Sequence, residues 1–175
     1  MKDSDRLVFR ELSPEDLPRL RMVFGDPEIM VYSVDGVKSD MKILDFIEES
    51  RIRYPEGEGQ WGLFLKDTGD FVGVAGFFDF YHEEEMALEI SYRIRKPYWG
   101  RGLATEAATH LVRHALEQLG RPRVYGIVDQ RNEASRRVLE KAGMSLIDRY
   151  DYHGRQTYLY SVEAVQAGPD NKEEK

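Results

Sequence analysis

The chain has 175 residues, 41% of them hydrophobic, and no cysteine. That length suits one domain with a real core, and the composition excludes disulfides, thiolate-metal sites and a cysteine nucleophile. The net charge is -7 with 33% charged residues and no basic run; this acidity argues against nucleic-acid binding and is compatible with a cationic acceptor. No apolar run approaches the about 20 residues that cross a bilayer, and the start, MKDSDRLVF, lacks a long apolar stretch. A cytoplasmic protein without membrane contact is expected.

In chain order, Arg6 to Leu12 reads as a strand, and Ser13-Pro14-Glu15-Asp16 opens a helix by N-cap and proline-at-N1 logic. A loop from Gly25 to Lys38 follows, then a second helix capped by Ser39 or Asp40 and reaching about Tyr54 before Pro55-Glu56-Gly57-Glu58-Gly59 breaks it. Trp61 to Lys66 and Phe71 to Phe80 form strands around the turn Asp67-Thr68-Gly69-Asp70. After the acidic connection His82 to Glu85, Met86 to Ile94 is a third. Helical spacing of Ala104, Ala108, Leu111, Ala115 and Leu119 predicts a helix next. A strand from Val124 leads to a short helix with Asn132 as N-cap, an apolar stripe of Val138, Leu139 and Ala142, and Gly143 at C′. Leu146 to Tyr152 and Gln156 to Val162 pair around His153-Gly154. One domain, 1–166, and a disordered tail, 167–175, are expected. The order β-α-α-β-β-β-α-β-α-β-β predicts a mixed α/β sheet with helices on both faces.

The segment KPYWGRGLATEAA, Lys96 to Ala108, carries the most chemistry. Gly100 and Gly102 stand between a strand and a helix. A helix N-terminus exposes unpaired N–H groups with partial positive charge, and glycines let phosphate oxygens approach them. No G-x-x-x-x-G-K-[ST] is present, and the third glycine of G-x-G-x-x-G would fall at Thr105, so neither an NTPase loop nor a dinucleotide fingerprint explains the pair.

Together, RLVFREL, DPEIMVY at Asp26 to Tyr32, YWGRGLATEA, Asn132 with Ser135, and the closing AGM resemble the GNAT superfamily of acetyl-CoA-dependent N-acetyltransferases, most of all its RimJ/RimL type. The resemblance implies a largely antiparallel sheet in which the strand before the glycine loop and the next strand splay apart around the pantetheine arm. It implies acetyl-CoA as co-substrate and an amine as acceptor, with no metal. The N–H groups of Gly100, Arg101, Gly102 and Ala104 would surround the pyrophosphate. Ile94 and Thr105 flank that set, and Asn132 would lie near the pantetheine. Pro97, three positions before the first glycine, replaces the Gln or Arg usual there and offers no N–H. Trp99 reads as a packing residue.

Ser135 falls at N3 of its helix, and the resemblance makes it the hydrogen-bond donor to the CoA sulfur. The tyrosine that many relatives carry four positions later is Leu139 here. Glu89, on the polar face of its strand, could accept the amine proton directly or through water, or it could be an exposed carboxylate paired with a neighbouring Arg or Lys. An α-amine of pKa about 7.8 costs about 1 kcal/mol to deprotonate at pH 7, and a lysine about 4.6 kcal/mol, so an α-amine is the easier acceptor. The resemblance places acceptor recognition in the Gly25 to Lys38 loop and the last hairpin, with Tyr32, Tyr150 and Tyr152 as candidates. His110 and His114, one helical turn apart, read as a solvated face, because Leu111 breaks an H-E-x-x-H pattern. Transfer to a protein N-terminal α-amine leads. A small-molecule amine acetyltransferase acting on an antibiotic, polyamine or amino acid, and a non-catalytic acyl-CoA-binding module, remain alternatives. Dimers are frequent in the family, but no segment here compels one.

Overall fold

The computed structural model describes residues 1–164, apart from the side chain of Tyr150; the expected tail lies outside that range. Seven strands form one sheet in the order β1-β2-β3-β4-β5-β7-β6 among the described residues. They are β1 (Leu7–Glu11), β2 (Gln60–Leu65), β3 (Phe71–His82), β4 (Glu85–Ile94), β5 (Arg123–Asp129), β6 (Ser145–Tyr152) and β7 (Arg155–Glu163). Four helices accompany them: α1 (Leu17–Phe24), α2 (Asp40–Arg53), α3 (Leu103–Arg113) and α4 (Glu133–Lys141). The element order is the expected one. A 3-10 turn at Pro14–Asp16 precedes α1, closed by the Asp16 carboxylate accepting from Ser13 N–H at 3.0 Å. A π-helical turn, His114–Gln118, prolongs α3.

Alternation along the strands divides the core in two. Leu63, Phe77, Leu88 and Ile90 pack with Leu103, Ala107 and Leu111 of α3 and Leu139 of α4 on one face. Val74 and Phe71 pack on the other with Leu20, Val23 and Phe24 of α1 and Ile43, Phe46 and Ile47 of α2. Each fully buried Leu, Ile, Val or Phe among them contributes about 1.5–3 kcal/mol. Along β4, Leu88, Ile90 and Ile94 therefore sit in the α3 core, while Glu89 and Arg93 are left facing the α1–α2 side.

The acidic connection is shorter than expected. β3 and β4 pair as far as His82 and Glu85, leaving only Glu83 and Glu84, both at positive φ (49° and 65°). Two left-handed positions match the twist of a two-residue hairpin. Gly76 is needed for a different reason. It faces Gln60 across the β2–β3 pair, and a Cβ there would press on the Gly59 carbonyl oxygen. Backbone cannot yield as a side-chain tip can, so Gly76→Ala is expected to cost about 3 kcal/mol, a fall of about 6–12 °C in Tm for a domain of this size, measurable by thermal melting.

Candidate active site

All neighbouring strands are antiparallel except β4 and β5, which are parallel and paired only at Leu88↔Val124 and Glu89↔Tyr125. Beyond Glu89 the two strands diverge. The opening contains a slot of about 160 Å³ lined by Ile90, Tyr92, Val128, Asn132, Ser135 and Leu139 among others. On the α1–α2 side lies a larger cavity of about 610 Å³, bounded by Phe24, Asp35, Phe46, Tyr152 and Arg155. Glu89 and Arg93 line both spaces, as do Tyr32 and Ser33. The loop between α1 and α2 is tied across this junction: Tyr32 Oη donates to the Arg131 carbonyl at 3.4 Å, and Arg155 Nη1 to the Val31 carbonyl at 3.4 Å.

At the outer end of the opening, Gly100 (φ 73°) and Gly102 (φ 75°) both adopt the left-handed conformation, and Gly102 is the N-cap of α3. A Cβ at Gly100 would meet nothing within 4 Å, and at Gly102 only Arg6 Nη2 at 3.6 Å. The space over the loop is therefore open. The N–H groups of Leu103, Ala104 and Thr105 occupy the first turn of an eleven-residue helix, where no intrahelical acceptor exists for them. Arg6 anchors the loop from β1's approach, donating to the Arg101 carbonyl at 3.0 Å and pairing with Glu106 at 2.6 Å. These features fit a polyanion such as the CoA pyrophosphate. Gly102→Ala forces a side chain into the left-handed region at about 1–2 kcal/mol. We expect about tenfold weaker CoA binding by calorimetry if that strain displaces the cradle.

At the inner end, Asn132 caps α4 by accepting from Ser135 N–H at 3.1 Å, which fixes the first turn and with it the Ser135 side chain. The Tyr92 hydroxyl lies 2.8 Å from Ser135 Oγ and 3.1 Å from the Ser135 carbonyl, and its one proton can be given to either, the serine hydroxyl donating to Tyr92 when the carbonyl takes it. Burial, as the largest influence, raises the Tyr92 pKa, so its proton stays in place. Tyr92 was not among the sequence-derived candidates. Its even register on β4 reads as core, and its ring does pack against the α3 core; only the fold brings its hydroxyl to a serine 43 positions away.

Glu89 is half-buried at the last β4–β5 pair and has no cation within ion-pairing distance among the described residues, which corrects the exposed, paired reading. Burial raises its pKa to about 7, opposed by the charge of Arg93 and by the Ile127 N–H. A group poised there can both take and hold a proton near neutrality.

Residues 6–145 match the model of the Acetyltransferase (GNAT) domain. The chain belongs to the GNAT acetyltransferase family. It is 27% identical over 168 residues to the uncharacterized N-acetyltransferase YoaA of Bacillus subtilis (strain 168), covering 93% of this chain and 94% of that protein. A GNAT-family acetyltransferase from Bacillus anthracis superposes with TM-score 0.80 at 22% identity, over 92% and 96% of the two chains. RimL, the ribosomal L7/L12 alpha-N-protein acetyltransferase, in complex with coenzyme A, gives 0.76 at 18% identity, over 92% and 96%.

Within this GNAT enzyme the remaining expectations fall unevenly. Ile94 is buried, and its carbonyl already accepts from Trp99 Nε1 at 2.6 Å. Trp99 itself is 51% exposed, so it acts as a clasp on the end of β4 and not as the packing residue expected. His110 and His114 do not form a solvated face: His110 Nε2 meets the Lys2 carbonyl at 2.7 Å beside Phe9, and His114 Nε2 meets the Gly57 carbonyl at 3.0 Å against Phe77. No cluster of metal-ligating side chains occurs among the described residues, and no helix there is long and apolar enough to cross a membrane. Tyr32 and Tyr152 line the larger cavity; the Tyr150 side chain lies outside the described residues.

Proposed function

We propose that this GNAT enzyme acetylates α-amines by direct attack, with the N-terminal amine of a protein or peptide as the leading acceptor. The observation that carries this reading is the position of Glu89, which lines both the slot and the cavity with its pKa raised to about 7. An α-amine of pKa about 7.8 lies within about one unit of that base, whereas a lysine at about 10.4 is more than three units away. The cavity, about 610 Å³, has the size of sites that enclose drug-sized ligands or a short peptide end.

Bound acetyl-CoA supplies the acetyl group as a thioester. The first turn of α3 with Gly100, Arg101, Gly102, Ala104 and Thr105 would hold its phosphates, and Asn132, which lines the slot, would flank its arm. Glu89 accepts a proton from the incoming ammonium, freeing the nitrogen lone pair. As the N–C bond forms and the C–S bond breaks, the sulfur would depart with the electron pair as a thiolate held by a hydrogen bond from the Ser135 hydroxyl, and the second proton of the nitrogen would pass to that thiolate as the amide forms, while Glu89 returns the first to solvent. No covalent enzyme intermediate is required.

Release of free thiol from acetyl-CoA, measured with N-terminal peptides and a small-amine panel in parallel, tests the proposal. Turnover with peptides supports it; turnover confined to polyamines or other amines without an α-amine overturns it in favour of a small-molecule enzyme.

A further inference from the structure

Arg93 has no task in the transfer just described, and its surroundings are unusual for a guanidinium. It shares a β4 face with Glu89, is half-buried, and lines both the slot and the cavity. Of an arginine's five N–H donors one is used, Nη1 donating to Ser91 Oγ at 3.0 Å. The ring of Phe24 lies 5.8 Å from the guanidinium carbon. No carboxylate of the described residues is within ion-pairing distance; Glu89 and Asp35 act on it only from further away.

A partly buried cation without a counter-ion is costly. The other cations of the cavity differ. Lys38 pairs with Asp35 at 3.3 Å, Arg155 with Asp129 at 3.7 Å, and Lys42 stands exposed on α2. Asp45 and Glu49 also line the cavity, from exposed positions on that helix where water and salt screen them.

We propose that Arg93 binds a carboxylate of the acceptor, so that the preferred substrate is an α-amine whose own residue carries a carboxylate: an N-terminal Asp or Glu, or a free amino acid. The inference rests on the α-amine reading above. A planar guanidinium fork matches a carboxylate in two parallel hydrogen bonds, and the donors left unused on Arg93 are the ones such a pair requires. Glu89 then meets the substrate's ammonium while Arg93 meets its carboxylate, opposite charges facing opposite charges along one strand.

The test compares kcat/KM, each referred to the neutral fraction of its own amine, for peptides beginning with Asp, Asn, Glu and Gln, and for free amino acids against their amides, in wild type, Arg93→Gln and Arg93→Lys. Wild type is expected to favour acid over isosteric amide at least about tenfold in one arm, which names the source; the ratio falls to about one in Arg93→Gln and partly recovers in Arg93→Lys. Losing the arginine charge also moves the Glu89 pKa, but that slows acid and amide alike and cancels in the ratio. The wild-type ratio needs no variant, so a variant that fails to fold does not remove the test. Equal use of acid and amide by wild type, with α-amines acetylated, overturns the inference and leaves the proposed function standing. Acetylation of other amines with no α-amine used overturns both.

Discussion

Glu89→Gln is expected to lower kcat/KM by about 10²–10⁴-fold, the range that a positioned base contributes, and to make the protein more stable. The second half follows from the sign of the pKa shift. Burial lifts the carboxyl from 4.5 to about 7 in the fold, so the folded state holds this proton more tightly than the unfolded chain does. Below about pH 4.5 both states are protonated and the shift costs nothing. As pH rises the unfolded chain releases its proton first and stability falls, until above about pH 7 the loss is complete. At 1.36 kcal/mol per unit it amounts to about 3 kcal/mol. Glutamine, uncharged at every pH, avoids the loss. The variant should therefore exceed wild type by about 3 kcal/mol in urea unfolding at about pH 8 and match it in acid. In wild type kcat/KM rises through about pH 7 as the carboxylate forms; the variant lacks that limb. A variant that keeps both the activity and the limb would remove Glu89 from the role of base.

Ser135→Ala and Tyr92→Phe form the second expectation. Removing a hydrogen-bond donor aimed at developing negative charge costs about 10²–10³-fold in kcat, and Ser135→Ala should fall in that range when chemistry limits turnover. Tyr92→Phe deletes a hydroxyl bonded to both the Oγ and the carbonyl of Ser135, so it should lower kcat by a smaller factor through the same serine. Because the two hydroxyls act as one unit, the double variant should be little worse than Ser135→Ala alone, a departure from additivity that a double-mutant cycle measures directly. Multiplicative losses would instead mean that each hydroxyl acts independently, and unchanged turnover in Ser135→Ala would exclude the serine from leaving-group stabilisation.

Much of this arrangement was legible in the chain itself. Period-2 alternation placed Glu89 on the polar side of its strand, and the Asn132 cap placed Ser135 at N3, because both are local consequences of geometry within a few residues. The glycine pair between strand and helix was equally visible. Tyr92 and Arg93 were not, because alternation assigns a side chain to a face and says nothing of what comes to meet it. The partner of Tyr92 is 43 positions away, and the solitude of Arg93 depends on which acids fail to reach it. His110 and His114 were misread for the same reason: their spacing defines one helix face, but the carbonyls of Lys2 and Gly57 that occupy it arrive from distant segments. The raised pKa of Glu89 is a property of burial between strands whose separation no local pattern announces.

The brevity of the β4–β5 ladder bears on how this architecture changes over evolutionary time. Past Leu88↔Val124 and Glu89↔Tyr125 the two strands no longer pair with each other; the Ile127 N–H turns to Glu89 and the Ile94 carbonyl to Trp99, and the other backbone groups facing the gap need partners too. A guest with amide groups of its own can satisfy them, much as an added strand would. Grip of that kind is written in main-chain geometry, which most substitutions leave intact, so side chains around the gap are free to diverge while the guest stays the same. A backbone frame that superposes at TM-score 0.80 with 22% identity has kept its main-chain course through wide change in its side chains.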